Sequence, residues 1–212
     1  MPSKGVKSFR TRQDKQKMIE KLKKKTHFSK LEIEKLLEMQ RKLSTRGNKI
    51  DRSKFRDLLH NTFAITEDFI MDRVFKAFDK DNDSHLNEEE WILGMSVFLR
   101  GTIDELCKYC FDVYDMNSDG FISREEMFHL LKQSLIVPGN EQDDPDDGVK
   151  DLVEVALKKL DQDHDTRVSF EDFKTSIHDD NLLLECFGRC LPNLPRKESF
   201  LEQIADEAHL KK

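Results

Sequence analysis

Three twelve-residue segments of the chain repeat one pattern of acidic and small polar residues. They run from Asp79 to Glu90, from Asp115 to Glu126 and from Asp161 to Asp172, and each has an acid at its first, fifth and twelfth positions. Apolar residues precede every segment at the i, i+3, i+4, i+7 spacing of one helix face, and a second apolar helix follows. The repeat therefore predicts an array of helix–loop–helix units, in which each unit needs a neighbour to bury its apolar face.

The spacing of oxygen-bearing residues within each segment suits a calcium ion. Ca²⁺ takes six to eight oxygens, which a loop of this length supplies from side chains at positions 1, 3 and 5, a carbonyl at 7 and a bidentate carboxylate at 12. This is the EF-hand signature, and residues 115–126 match it fully, including the turn glycine Gly120. The predicted ligands are Asp79, Asp81, Asp83, the His85 carbonyl and Glu90; Asp115, Asn117, Asp119, the Phe121 carbonyl and Glu126; and Asp161, Asp163, Asp165, the Arg167 carbonyl and Asp172.

The three loops differ at two positions that affect ion binding. The sixth position needs a left-handed backbone, which is inexpensive only for glycine. Ser84 stands there in the first loop, at a cost of about 1 kcal/mol, and the β-branched Thr166 stands there in the third. Asp172 is also one methylene shorter than glutamate, so six-coordinate Mg²⁺ can compete at the third loop. We expect up to three Ca²⁺ ions, with loop 115–126 the strongest; the third loop is either a binding site or a folded loop without an ion.

A fourth helix–loop–helix unit lies one repeat length upstream of Asp79. Its loop, within residues 40–54, carries cations where acidic ligands would be needed, namely Arg41, Lys42, Arg46, Lys49 and, at the last position, Lys54. Cations repel a metal ion, so we expect a silent unit that completes a pair. The prediction is an all-α EF-hand fold with a basic arm (1–27), an N-lobe (28–100), a C-lobe (101–180) and a C-terminal helix and tail (181–212).

The charge distribution of the chain limits which partners and which cellular location are expected. The first 30 residues carry a net charge of +9 and the remainder −15, so the basic arm is either a solvated tail or a contact for an acidic surface such as a microtubule; RNA or an anionic membrane would satisfy the same electrostatics. No apolar run is long enough to span a membrane, and Met1–Arg10 lacks the apolar region of a secretory signal, so we expect a cytoplasmic protein.

Two other kinds of chemistry are also not expected. The sequence has no glycine-rich phosphate loop and no nucleophile elbow, so we predict no enzymatic activity. The cysteines form two close pairs, Cys107 with Cys110 and Cys186 with Cys190. They could supply a four-thiolate zinc site, but they lie among apolar residues of helical patterns, which favours a place in the core.

The order of one silent and three acidic hands resembles the neuronal-calcium-sensor and calcineurin-B-like group, and within it the calaxin family of axonemal proteins. The segments that carry this resemblance are Phe69–Asp83, Ser96–Gly101, Asp119–His129 and Leu182–Pro192. It implies Ca²⁺-dependent binding to the outer-arm dynein heavy chain, association with docking proteins and axonemal microtubules in cilia and flagella, and no nucleic acid partner. Residues 1–25 do not take part in it.

Two classes of function stay open at this point. The first is a Ca²⁺ sensor, whose lobe opens and binds a helix of its partner. The second is a Ca²⁺ buffer or a constitutive structural subunit of the docking machinery, whose conformation hardly changes. The Leu182–Phe187 stretch, expected to be helical, is a candidate for filling the apolar groove without Ca²⁺.

Overall fold

The computed structural model describes residues 4–44, 48–134 and 146–205, with side chains from residue 13 onward. The helices are α1 (Lys4–Lys23), α2 (Lys30–Leu43), α3 (Arg52–Phe63), α4 (Asp68–Phe78), α5 (Glu88–Arg100), α6 (Ile103–Tyr114), α7 (Arg124–Ser134), α8 (Asp147–Leu160), α9 (Phe170–Asp179) and α10 (Leu194–Ile204). A short 3-10 helix spans Asn181–Glu185, and the two-residue strands are β1 (Ile50–Asp51), β2 (His85–Leu86), β3 (Phe121–Ile122) and β4 (Val168–Ser169). Most of the chain is helical, which confirms the predicted all-α EF-hand fold. Among the described residues, no helix is long and apolar enough to cross a membrane.

Hydrogen-bonded caps set the start of several helices. In α2, α5, α6 and α9 the cap side chain accepts from the backbone three residues on, and the acid at that position accepts from the cap backbone in return. In α5 this acid is Glu90, and in α9 it is Asp172. The twelfth loop position is therefore tied to the first turn of the helix that leaves the loop.

The strands join the helix–loop–helix units into two pairs. Strand β1 pairs antiparallel with β2, with Ile50 opposite Leu86, and β3 pairs with β4, with Ile122 opposite Val168. Ile122 stands at the eighth position of its loop, which predicts a short β-bridge with the partner loop, and the second pairing confirms this bridge. We call α2–α5 the N-terminal pair and α6–α9 the C-terminal pair. The prolines, glycines and acids of residues 137–148 predict a solvated loop between two helices, and this stretch lies, as far as residue 145, outside the described residues.

Aromatic side chains form the core of the N-terminal pair. The Phe55 ring of α3 lies 5.7 Å from the ring of Phe75, 5.0 Å from that of Phe78 and 6.5 Å from that of Trp91. The indole N–H of Trp91 donates to the Leu36 carbonyl at 3.0 Å, so the buried ring leaves no polar atom unpaired. The many phenylalanines of the chain are therefore mainly core residues.

The basic N-terminal segment is a packed helix, whereas the sequence predicted an arm. Ile19 and Leu22 of α1 are fully buried, and α1 packs on α2 and α5. The Lys21 ammonium also donates to the Glu89 carboxylate at 2.9 Å. Ile19 and Leu22, one turn apart, dock the helix, while Lys17, Lys21 and Lys23 stay exposed.

The C-terminal segment packs on both pairs. The Phe187 ring is buried 5.4 Å from the ring of Tyr114 in the C-terminal pair. The Phe200 ring of α10 lies 5.1 Å from the ring of Phe63 in the N-terminal pair. The stretch expected to be one helix is instead a single 3-10 turn, because the chain then turns at Gly188, where φ is +140°. Leu182, at its start, is 89% exposed, so only part of this stretch is covered.

Candidate metal centres

Loop 115–126 gathers its oxygen atoms through hydrogen bonds from its own backbone. Asp115 is the C-cap of α6, and its carboxylate accepts from the Asp119 N–H at 3.2 Å and from the Gly120 N–H at 3.0 Å. The Asn117 side-chain oxygen accepts from the Asp119 N–H at 2.9 Å. Gly120 has φ +90°, as the predicted turn requires. These bonds hold the predicted side chains facing inward.

Glu126 closes this loop from its far end. One carboxylate oxygen accepts from the Met116 N–H at 2.8 Å and the Asn117 N–H at 3.2 Å, and the other accepts from the Ser123 N–H at 2.8 Å. The side chain thus connects the first turn of α7 to the second and third loop positions. A carboxylate in this position can give both oxygens to one ion.

Loop 79–90 repeats this arrangement. The carboxylates of Asp79, Asp81 and Asp83 lie within 4.8 Å of one another. Glu90 accepts from the N–H groups of Lys80 and Asp81, both at 3.0 Å. Hard oxygen ligands clustered in this way are a donor set for Ca²⁺ or Mg²⁺, so the residues present fit such an ion.

Ser84 and His85 follow the acidic cluster of loop 79–90. Ser84 has φ +65°, so the left-handed backbone is kept without glycine, as the sequence predicts. The ring nitrogen Nδ1 of His85 is paired with the Asp83 carbonyl at 3.0 Å, and the side chain is half-exposed. The backbone carbonyl of His85, not its ring, stays the predicted ligand.

A lysine of the silent hand contacts this loop. The Lys49 ammonium donates to the Asp83 carboxylate, and this hydrogen bond lowers the pKa of Asp83 and raises the pKa of Lys49. Lys49 precedes β1, which pairs with the loop through Ile50. The sequence predicts that Lys49 repels a metal ion from its own loop, but it does not reveal that the ammonium lies at the neighbouring loop.

Loop 161–172 has the acidic cluster but a shorter closing residue. Asp161, Asp163 and Asp165 bring carboxylate oxygens within 4.8 Å of one another, and partial desolvation with the nearby carboxylates raises the pKa of Asp163. Asp172 accepts from the N–H and hydroxyl of Ser169, at 3.0 and 2.6 Å, but in the described structure it makes no hydrogen bond to the second or third loop position.

Thr166 and Arg167 occupy the sixth and seventh positions of loop 161–172. Thr166 has φ +74°, which is strained for a β-branched residue. The Arg167 guanidinium is 4.0 Å from the centroid of the Phe121 ring, in the facing loop, and 3.2 Å from the Asp165 carboxylate. The Arg167 side chain is therefore held at the surface, and only its carbonyl remains for an ion.

The cysteines belong to the core. Cys107, Cys110 and Cys190 are buried, Cys186 is half-buried, and all four are free thiols. Among the described residues, potential metal-binding groups of His, Cys, Asp and Glu include no cysteine. Burial also raises the pKa of the Cys186 thiol to about 12, which disfavours the thiolate that zinc requires.

Comparisons with known proteins agree with this architecture. A family model described as an EF-hand domain pair matches residues 104–177. Calaxin from Xenopus laevis is 57% identical over 173 residues, which are 79% of this chain and 83% of that protein. The chain belongs to the calaxin family. Calaxin from Homo sapiens is 55% identical over 73% of each chain, and the calcineurin-B protein of Candida glabrata is 33% identical over 76% of this chain and 88% of that protein.

Membership in the calaxin family confirms the resemblance stated from the sequence. The EF-hand pair and the relatives together make this chain a calcium-binding protein of the sensor type. The matched pair contains loops 115–126 and 161–172, whose strands β3 and β4 are joined in the structure. The C-terminal pair is therefore the unit that the family model describes.

Proposed function

We propose that this calaxin-family chain is a non-enzymatic Ca²⁺ sensor that binds and regulates outer-arm dynein in the axonemes of cilia and flagella. Family membership and the sensor-type hands support this function. The proposed partners are the dynein heavy chain, docking proteins and axonemal microtubules, which implies a cytoplasmic, axonemal location. We also propose that all three acidic loops bind through the residues predicted from the sequence, with Mg²⁺ competing at loop 161–172.

One observation carries the sensor mechanism. Glu90 lies in the first turn of α5 and Glu126 in the first turn of α7, and both reach across the loop to the second and third positions. A bound Ca²⁺ is a dication that attracts all the carboxylates of the loop, including the closing glutamate. When Glu90 or Glu126 turns from the backbone N–H groups toward the loop centre, its helix must shift relative to the helix that enters the loop.

An apolar groove already exists where such a shift would act. It has a volume of about 590 Å³ and lies between α4, α5 and α6. Its apolar lining includes Phe78, Leu93, Val97 and Tyr109, and charged residues stand at its rim. An amphipathic helix of the partner can place its apolar face in a groove of this kind. Movement of α5 changes the groove width, because α5 contributes Leu93 and Val97.

Exposed lysines at the end of α1 give a second contact with an acidic partner. Lys17 and Lys23 of α1 and Lys24, the residue after it, are exposed, while Ile19 and Leu22 of α1 are buried. Deleting the segment would therefore disturb the core as well as the charge. Charge reversal at the three lysines is the cleaner test, and we expect weaker retention on axonemes with a smaller dependence on salt.

A constitutive structural subunit is the second candidate. The observation in its favour is the C-terminal segment, whose Phe187 is fully buried against Tyr114 and thereby covers apolar surface of the C-terminal pair from within the chain. A chain that covers its own surface at every Ca²⁺ level would be a fixed subunit or a buffer. Binding of an apolar dye with and without Ca²⁺ separates the two candidates, because only the sensor exposes new apolar surface.

The decisive experiment compares the wild-type protein with the Glu90→Gln/Glu126→Gln double variant. Binding to purified outer-arm dynein and to axonemes is measured across a Ca²⁺ titration. We expect the wild-type affinity to change with Ca²⁺ and the double variant to stay at one level. Glu125→Gln, which changes the neighbouring carboxylate, is the matched control. If the double variant follows the wild-type curve at every Ca²⁺ level, the sensor mechanism is wrong and the fixed subunit remains.

A further inference from the structure

Arg73 of α4 is bound to the end of a helix in the other pair. Its side chain is buried, with 8% exposed, and its three nitrogens donate to four carbonyl oxygens. The acceptors are Val113 at 2.7 Å, Met116 at 3.2 Å, Asp112 at 3.0 Å and Asp115 at 2.6 Å. One side chain of the N-terminal pair thus holds the last turn of α6 and the first two residues of loop 115–126.

The acceptors explain why an arginine is used here. The last four carbonyls of a helix have no partner within the helix, and the helix dipole makes this end negative. The planar guanidinium offers several donors in a fixed geometry, which a lysine ammonium does not match. Burial lowers the pKa of Arg73, while the carboxylates of Asp115, Glu126 and Asp112 act in the opposite direction.

Two lysines that follow Arg73 in the chain extend the contact. The Lys76 ammonium donates to the Met116 carbonyl and to the Ser118 hydroxyl, both at 3.3 Å. The Lys80 ammonium donates to the Asp112 carboxylate at 3.1 Å. Arg73 and Lys76 lie at i and i+3 on one face of α4, and Lys80 is the second residue of loop 79–90, just beyond the end of the helix. This stripe of three cations contacts the end of α6 and the start of loop 115–126.

The same helix enters loop 79–90. Asp79 is the C-cap of α4, and Glu90 accepts from the backbone of Lys80, the next residue. Any change in Glu90 therefore acts on the end of α4. The stripe then connects that end to the first residues of loop 115–126, although the two loops belong to different pairs and share no strand.

We propose that Arg73 is a positioning residue that couples ion binding at loop 79–90 to ion binding at loop 115–126. This inference rests on the proposed function, since it requires that both loops bind Ca²⁺. With Arg73 in place, an ion in loop 79–90 fixes α4 and, through Arg73, the backbone at Asp115. The ion that binds loop 115–126 next then has to order less of the chain, so its binding costs less conformational entropy. Coupling between binding sites is reciprocal, so filling loop 115–126 raises the affinity of loop 79–90 by the same factor.

The positive charge of Arg73 lowers the Ca²⁺ affinity of loop 115–126, whereas its positioning role raises it. A cation near Asp115 and Glu126 opposes a dication in the loop, so removal of the charge alone would tighten binding. Two variants separate the contributions. Arg73→Lys keeps the charge and loses the planar set of donors, whereas Arg73→Gln loses both. If positioning dominates, both variants bind Ca²⁺ more weakly at loop 115–126.

Gly120 provides a readout specific to one loop. It is the only glycine at the sixth position of the three acidic loops, and its N–H donates to Asp115 at 3.0 Å. Its backbone amide resonance in a nitrogen-15 NMR spectrum should therefore shift when loop 115–126 fills. Calcium titrations of the full chain then give the midpoint of this loop alone.

The experiment is a double-mutant cycle with four proteins: wild type, Glu90→Gln, Arg73→Lys and the combination. We expect Glu90→Gln to raise the Gly120 midpoint about fivefold when Arg73 is present, the low end for coupled sites, and to leave it unchanged in Arg73→Lys. Equal effects of Glu90→Gln in both backgrounds would overturn the proposal. A second cycle uses Arg73→Gln in place of Arg73→Lys. Tighter binding in Arg73→Gln, with the effect of Glu90→Gln retained in the combined variant, would also overturn the proposal, because Arg73 would then act only by charge.

Two controls keep the result unambiguous. Arg56→Lys alters a surface arginine of α3 that is paired with Asp68 on α4, and it should leave the effect of Glu90→Gln intact. Lys76→Met removes an exposed donor to Met116 without leaving a buried group unpaired, so we expect it to fold and to reduce the coupling. It therefore tests the contact even if Arg73→Lys does not fold. Full coupling in Lys76→Met would count against the stripe as the path of coupling. A Gly120 resonance that does not shift when Ca²⁺ is added to the wild type would instead refute the calcium site in loop 115–126, and with it the proposed function.

Discussion

We expect the closing carboxylate of loop 161–172 to set the preference of this loop between Ca²⁺ and Mg²⁺. Asp172 bonds only to Ser169 on its own side of the loop, as far as the described residues show. Glu126, at the same position of its loop, also reaches the Met116 N–H at 2.8 Å. Asp172→Glu adds the one methylene that separates these arrangements. We therefore expect the substitution to convert a one-sided carboxylate into one that spans the loop.

The size of the effect follows from the second carboxylate oxygen that the longer side chain can give to the ion. A charge-assisted hydrogen bond, about 1.5–3 kcal/mol, sets the scale for this added contact, and fixing one more side-chain torsion costs about 0.5 kcal/mol. The net gain of about 1–2.5 kcal/mol is roughly a 5- to 70-fold lower Kd. It should appear for Ca²⁺, which accepts seven or eight oxygens, and much less for Mg²⁺, which requires six in octahedral geometry.

The assay is calorimetric titration with each cation in the Glu90→Gln/Glu126→Gln background, which leaves loop 161–172 as the remaining intact site. A reciprocal control is Glu126→Asp in the wild-type chain, which should shift loop 115–126 toward Mg²⁺. An unchanged Ca²⁺/Mg²⁺ ratio in Asp172→Glu would refute the argument from length. Backbone strain at Thr166, where φ is +74°, would then be the limit, and Thr166→Gly should relieve it.

Three further perturbations test other contacts. Lys49→Met removes the ammonium that Ca²⁺ must displace from Asp83, so calorimetry should show tighter binding at loop 79–90, with a gain that shrinks at high salt. Phe200→Ala removes a fully buried ring of α10, so the free energy of unfolding should fall by about 3–5 kcal/mol in urea titrations; an unchanged value would mean that α10 is not docked. Burial raises the pKa of Glu32, but hydrogen bonds from Arg100 and the helix cap outweigh it and lower the pKa below its usual value. The folded state therefore favours the ionised form of Glu32. The pair with Arg100 contributes stability above the pKa of Glu32 in the unfolded chain, and this stability is lost as the pH falls through the lower pKa of the folded state. Glu32→Gln should remove that part of the pH dependence in urea titrations.

Local features of the fold could be predicted from the sequence. The bridge at Ile122 followed from its position in the loop, and the left-handed backbone at Ser84 and Thr166 followed from theirs. The short reach of Asp172 followed from counting methylenes. All of these depend on a twelve-residue loop whose geometry is set within the loop itself.

Contacts between distant segments could not be predicted in this way. Arg73 and its four carbonyl acceptors are about 40 residues apart in sequence, and nothing in the α4 pattern distinguishes it from a solvated arginine. The docking of α1 is hidden because lysines are frequent in its sequence and, of its side chains from residue 13 onward, only Ile19 and Leu22 are fully buried. The leucines of the C-terminal stretch favour a helix, although the turn at Gly188 decides its course.

The position of the C-terminal segment has a consequence for how the protein is made. Phe187 and Phe200 complete the packing of the two pairs, yet both follow all four helix–loop–helix units in the chain. During translation these two residues leave the ribosome after the units that they cover. The apolar surface around Phe63 and Tyr114 therefore stays uncovered until the C-terminal segment has emerged, and such surface favours association with other chains. A chaperone that holds the nascent chain, or a partner that binds it before release, would meet a different surface from the one that the finished protein presents.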